Sequence, residues 1–172
     1  MNSHFNMRYR IATLHDKEKL QNLGLNSYGQ FKNILTEENW NKLHSFLTNE
    51  NSYSDLLSKS RCFVCETNDE IIGMSYLIPR GNPTDIFQAG WSYIRMVGVN
   101  TKFGGKGIGK KLIQMCVDFA KETNESIIAL HTSEFMDTAR HIYESIGFKQ
   151  IKELEPRLGK KYWLYILELK QN

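Results

Sequence analysis

Apolar positions along this chain change period several times, and each change predicts an element. Alternation over residues 8–13 predicts a short first strand, after which Asp16 caps a helix carrying Leu20, Leu23 and Leu25. Residues 28–60 are mostly helical in pattern, with Thr36 capping a segment that presents Trp40, Leu43 and Leu47 at helical spacing. RCFVCETNDEIIGMSYLIP places β-branched and aromatic residues on both sides of Asn68-Asp69, a turn pair, and predicts an antiparallel hairpin ending at Pro79. GNPTD reads as a loop, and WSYIRMVGV, residues 91–99, as a further strand.

Beyond that strand, Ile108, Leu112, Met115, Cys116 and Phe119 form one apolar stripe on a helix ending near Thr123-Asn124. SIIALHT is continuously apolar, as a buried parallel strand requires. Phe135, Ala139, Ile142, Tyr143 and Ile146 repeat the helical stripe before Gly147 stops it. KQIKEL and KYWLYILEL are two closing strands around a loop, EPRLGK. The expected fold is mixed α/β, with about seven strands and about four helices. One domain over residues 1–172 accommodates it.

Charge and cysteine content narrow the function classes. A net charge of +3, from 22 basic residues spread among 19 acidic ones, implies no general nucleic-acid surface. No apolar run is long enough to span a membrane, and the polar start MNSHFNMRYR lacks a secretion signal, so a soluble cytoplasmic protein is expected. Cys62 and Cys65 form a C-x-x-C, but on a strand residues three apart face opposite ways and cannot share a metal ion. Buried thiols and no metal are expected.

FGGKGIGKK, residues 103–111, holds four glycines and three lysines between a strand and a helix. A P-loop would match Gly104 to Lys110 but needs Ser or Thr next, where Lys111 stands and would repel Mg²⁺. The dinucleotide pattern fails too, ending on Lys110 or Leu112 instead of glycine. Two readings remain: an anion site, where glycines let helix N-terminal amides approach phosphates, or a solvated loop.

VGVNTKFGGKGIGKKLIQM resembles the acetyl-CoA-binding motif of the GNAT superfamily of N-acetyltransferases. MDTARHIYESIGF resembles that superfamily's second motif, RYRIATLHD its opening strand and EIIGMSYL its third strand, in the right order over nearly the whole chain. The resemblance implies an acyl-CoA N-acyltransferase fold, a twisted, mostly antiparallel sheet of about seven strands with a splayed parallel pair, flanked by about four helices, and an acetyl-CoA-dependent N-acetyltransferase acting by direct attack of a small-molecule or peptide amine. It implies neither nucleic acid nor membrane as partner. A module that binds acyl-CoA with little catalysis is the alternative, and the oligomeric state, homodimer included, is not readable.

Site residues follow from the same resemblance. Backbone groups of Val97, Gly98 and Val99 would pair with the pantetheine arm, and the Val97 N–H would polarise the thioester carbonyl. Gly104, Gly105, Lys106, Gly107, Ile108, Gly109 and Lys110 would hold the pyrophosphate. Gly104 stands where Arg or Gln is usual and Met136 where Asn is frequent, removing two side-chain contacts, with Lys102, Lys106 or Lys110 expected to offset the lost charge.

Tyr143, a core tyrosine by spacing, would face the cofactor sulfur as general acid. Protonating a thiolate of pKa near 8.5 from a tyrosine near 10 is uphill by roughly 2 kcal/mol, favouring a hydrogen bond over full transfer. A lysine-like amine is neutral in only about one molecule in 2,500 at pH 7, so a base would help. His131 and Glu66 are the candidates alongside water. The acceptor is expected among residues 28–60, 79–90 and 155–161.

Overall fold

The computed structural model describes residues 6–170; residues 1–5 and 171–172, which the one-domain reading includes, lie outside the described residues. Seven strands, β1 (Arg8–Ile11), β2 (Arg61–Thr67), β3 (Glu70–Ile78), β4 (Ser92–Val99), β5 (Ile127–Ser133), β6 (Lys149–Arg157) and β7 (Lys160–Glu168), form one sheet. Their order is β1-β2-β3-β4-β5-β7-β6. All neighbours are antiparallel except β4 and β5. Among the described residues there are five α-helices: α1 (Lys17–Gly29), α2 (Glu37–Thr48), α3 (Glu50–Lys59), α4 (Ile108–Glu122) and α5 (Asp137–Ile146). None is long and apolar enough to cross a membrane.

The sheet separates two apolar layers. On one face α4 packs Ile108, Leu112 and Cys116 against Ile94, Leu130 and Tyr143; on the other, α1 and α3 bring Leu20, Leu23 and Tyr53 onto Tyr76, Tyr93 and Leu164. Gly73 allows the closest approach of α4, since a Cβ there would lie 2.6 Å from Ile108 Cγ2. Cys62 joins the α1 layer and Cys65 the α4 layer, the opposed placement that strand alternation requires.

The Asn68-Asp69 turn has both residues at positive φ, as a two-residue hairpin demands. The closing hairpin differs from expectation. Its turn is only Leu158-Gly159, again both at positive φ, and β6 runs on through Pro156. A proline is tolerated there because β6 is an edge strand and the register shifts between Leu154 and Arg157.

Residues 28–60 are mostly helical as expected: Thr36 caps α2 by accepting from the Asn39 N–H at 3.2 Å, and Asn49, whose side chain accepts from Asn51 N–H, divides α2 from α3. Two further local readings need correction. Asp16 stands at the N-cap position of α1, but its side chain does not cap the helix; the carboxylate turns back to the Thr13 N–H at 2.8 Å and to Arg10 at 2.7 and 2.8 Å. Phe135 precedes α5 and packs on the opposite face of the sheet, 4.9 Å from the Phe31 ring.

Candidate functional site

β4 and β5 pair only at Ser92 with Ile128 and Tyr93 with Ala129, and beyond that point they part. On its other side β4 carries a bulge: its register with β3 passes from Gly98 to Arg95, leaving Met96 and Val97 without partners in it. Met96 accordingly sits at φ 49°. The end of α1 runs along this part of β4. Tyr28 donates its hydroxyl to the Val97 carbonyl at 3.3 Å, Ser27 Oγ accepts from the Val99 N–H at 3.2 Å, and Asn26 Oδ1 accepts from the Thr101 N–H at 3.0 Å.

From β4 the chain enters a 3₁₀ turn, Thr101–Phe103, capped by the Asn100 side chain, which accepts from Lys102 N–H at 3.0 Å and donates to Glu70 at 3.2 Å. Gly104 is extended, while Gly105 and Gly107 have φ of 74° and 77° with open space where a Cβ would stand. Only glycine takes that backbone without strain. Gly107 is the N-cap of α4 and no side chain caps the helix, so the amides of Ile108, Gly109 and Lys110 keep their donors for a ligand. No acidic residue occupies that first turn. Such a cradle fits a pyrophosphate.

Across the gap, Tyr143 lies on α5, 6% exposed, its ring edge-on to Phe148 at 5.9 Å. Among the described residues its hydroxyl has no hydrogen bond, and burial pushes its pKa well above the tyrosine range. His131, on β5, is enclosed by Phe87 and Tyr162 at ring distances of 6.0 and 5.5 Å. Burial first, then the Arg157 and Arg95 guanidiniums, pull its pKa down to about 4, against a smaller opposing effect of Asp85.

These groups meet in one cavity of about 790 Å³. Of the residues expected from sequence, Val97, Val99, Gly104, Gly105, Gly109, Met136, Tyr143 and His131 line it. Gly98, Lys106, Gly107, Ile108 and Lys110 do not: Ile108 is committed to the core, Gly98 is wedged against Met74 and Ser27, Lys106 is exposed on the turn and Lys110 on the first turn of α4. Glu66 lies outside it, ion-paired to Arg10 at 2.8 Å, which holds its carboxyl below the usual range.

Ser27, Tyr28 and Arg95 line the cavity and were not singled out as site residues from sequence. Ser27 and Tyr28 reach β4 across about 70 positions of chain, and no local pattern announces that contact. Arg95 carried a signal, a charge inside an otherwise apolar strand.

The sequence model described as Acetyltransferase (GNAT) family matches residues 26–148. N-acetylaspartate synthetase of Danio rerio is 37% identical over 62 residues, covering 36% of this chain and 22% of that protein. The Xenopus tropicalis protein "Probable N-acetyltransferase camello" is 28% identical over 115 residues, covering 66% and 49%. The chain thus spans about half or less of the length of these curated relatives. PaiA N-acetyltransferase from Thermoplasma acidophilum, solved in complex with coenzyme A, superposes with a TM-score of 0.75 at 16% identity, covering 95% of this chain and 99% of that one. At that identity the likeness speaks for the fold.

Proposed function

Because the chain belongs to the acetyltransferase (GNAT) family, we propose that it transfers an acetyl group from acetyl-CoA to a primary amine by direct attack within a ternary complex. The observation that carries this reading is the parting of β4 and β5, which leaves the uncapped glycine turn, the Val97 bulge and Tyr143 around one cavity. Acetyl-CoA, when bound, supplies the activated thioester.

The chain's own groups then have distinct tasks. Backbone amides from Gly104 to Lys110 bind the pyrophosphate, and the ammonium groups of Lys102, Lys106 and Lys110 add long-range charge. Val97 and Val99, with Gly98 between them, align the pantetheine arm as an added strand, Ser27 giving up the Val99 N–H to it. Met136, in the turn that opens α5, contributes its backbone and thioether surface beside the cofactor. The Val97 N–H is directed at the carbonyl oxygen where negative charge grows.

Tyr143 donates a hydrogen bond to the departing sulfur; its raised pKa keeps it protonated. His131, neutral and weakly basic, accepts a hydrogen bond from the amine instead of storing its proton, which leaves through water. Cys116 is not a nucleophile in this scheme: it is buried beside Ser75 at 3.3 Å, and burial pushes its thiol up to about 12.

The test is acetyl-CoA with a panel of amines, following thiol release. Turnover on any member supports the transferase. Tight acetyl-CoA binding with no release on the whole panel would instead make the chain an acyl-CoA-sensing module.

A further inference from the structure

The half of the cavity facing α1 and α2 is cationic where an amine must arrive. Arg95 lines it from β4, on the same face as Tyr93 and two residues before Val97; Arg157 lines it from the end of β6. Both guanidiniums lower the pKa of His131, which lines the same cavity, while Asp85 opposes them. Arg157 is bound to Asp85 at 3.1 Å. Arg95, partly buried, has no hydrogen bond or ion pair among the described residues. Among the described residues, the one acidic side chain lining the cavity is Asp137, on the α5 side and paired with Arg140.

A positively charged amine acceptor is repelled by this arrangement unless it brings its own anion. A partly desolvated guanidinium without a partner is costly, and a carboxylate relieves it through two parallel hydrogen bonds. Behind the arginines, Phe31 and Phe135 pack at 4.9 Å, and Phe135 and Tyr162 at 6.3 Å, giving an aromatic wall for an apolar body. Arg95 and Val97 are at most about 7 Å apart along the strand, a span that a guanidinium bridges to a carboxylate near the reacting amine.

Resting on the acetyl-transfer reading of this same cavity, we propose that the acceptor is an amine that carries a carboxylate, bound by Arg95 with help from Arg157, and an apolar or aromatic body set against the Phe31, Phe135 and Tyr162 wall. Polyamines and lysine side chains, which bring no anion to the unpaired Arg95, are disfavoured.

The experiment uses saturating acetyl-CoA and four acceptors: phenylalanine, phenylalaninamide, phenethylamine and an aspartyl-phenylalaninamide peptide. The free acid is expected to exceed its amide and the decarboxylated amine by about tenfold or more in kcat/KM. The aspartyl peptide separates the sources: its preference over phenylalanine assigns the carboxylate to an acidic side chain, the reverse to a free α-carboxylate. Arg95→Gln should collapse the acid-to-amide ratio to near one, and Arg95→Lys should restore part of it, with far-ultraviolet melts establishing that both fold. Equal or faster turnover of the amide or of phenethylamine overturns the inference while acetyl transfer itself stands.

If no amine is turned over, the transferase reading fails and calorimetry on the CoA-loaded protein still decides. Tighter binding of N-acetylphenylalanine than of its amide, lost in Arg95→Gln, supports the carboxylate site, and equal binding removes it.

Discussion

Tyr28 donates its hydroxyl to the carbonyl oxygen of Val97 across 3.3 Å, tying the end of α1 to the bulge where β4 shifts register against β3. The residue before Val97, Met96, holds φ at 49°, a conformation that costs a non-glycine residue roughly 1 kcal/mol or more. The Tyr28 bond helps hold that bulge and, on the proposed mechanism, the Val97 N–H that polarises the thioester. Tyr28→Phe keeps the ring, which meets Phe31 at 6.1 Å, and removes only the donor. We expect a loss of about 1 kcal/mol in stability and a fall in kcat of roughly tenfold, with acetyl-CoA affinity nearly unchanged. Denaturant melts and steady-state kinetics check both; an unaltered kcat would detach the bulge from catalysis.

Tyr143→Phe separates hydrogen bonding from proton transfer. Burial raises the hydroxyl well above its ordinary pKa, so tyrosinate is unpopulated up to pH 10 and, on the proposed mechanism, the group acts only as a donor. Losing a donor to a developing thiolate should lower kcat by about 10- to 100-fold and leave the acetyl-CoA dissociation constant within about twofold. The pH profile of the unmodified protein supplies an independent reading. No downward limb belonging to Tyr143 is expected between pH 7 and 10; such a limb, abolished in the phenylalanine variant, would contradict the raised pKa.

The parts of this architecture legible in the sequence are those in which local chemistry and the global fold agree. Asn68-Asp69 marked a hairpin because both residues tolerate positive φ, and the Ile108, Leu112 and Cys116 stripe marked the buried side of α4. Gly147, with φ 115°, ended α5 as its position predicted. Misreadings arose where tertiary context overrides a local signal. Pro156 looks like a loop residue yet sits in an edge strand, and Phe135 fits the stripe of α5 yet belongs to the other face of the sheet. Asp16 has the chemistry of a helix cap, but Arg10 lies within reach and claims it. The candidate site divides likewise. The glycine turn and Tyr143 follow from motifs, whereas Ser27, Tyr28 and Arg95 become neighbours of the cavity only when α1 is laid across β4.

Two glycine-to-alanine substitutions should have opposite consequences. At Gly107, φ is 77° and nothing stands within 4 Å of the added methyl, so the cost is backbone strain of about 1 kcal/mol, felt at the first turn of α4. Gly107→Ala should weaken acetyl-CoA binding by about tenfold or more, because the amides of Ile108 to Lys110 shift with that turn. At Gly73 the methyl would meet Ile108 Cγ2 at 2.6 Å and Leu112 Cδ1 at 2.9 Å, deep in the core. Gly73→Ala should instead cost about 1–3 kcal/mol of stability. Calorimetric titration and denaturant melts on both variants make the comparison. Equal acetyl-CoA affinity in Gly107→Ala and the unmodified chain would argue against the glycine turn as the anion cradle.

The pH dependence of stability isolates His131. Its pKa falls from the ordinary 6.5 to about 4 in the folded chain, chiefly through burial and then through Arg157 and Arg95. Between those values the unfolded chain holds a proton that the folded chain does not, so stability rises with pH across this window. The contribution is complete above 6.5, is lost progressively as pH falls to 4, and amounts to about 3 kcal/mol over the full span. Asp16 and Glu66 act in a lower window. Arg10 depresses both, and the stability they add disappears only as pH falls below the ordinary carboxylate values, 3.8 and 4.5. Between pH 6.5 and 5, therefore, His131 dominates, with about 2 kcal/mol at stake, or roughly 4–8 °C in Tm for a chain of this size. Replacing it by the uncharged His131→Gln should flatten the Tm profile over that interval while leaving the acid limb below pH 4.5 in place. Arg95→Gln should displace the His131 transition to higher pH, because one of the two cations that oppose its protonation is gone. Parallel profiles for the unmodified chain and His131→Gln would mean that the imidazole is solvated in the folded protein and that the arginines do not converge on it.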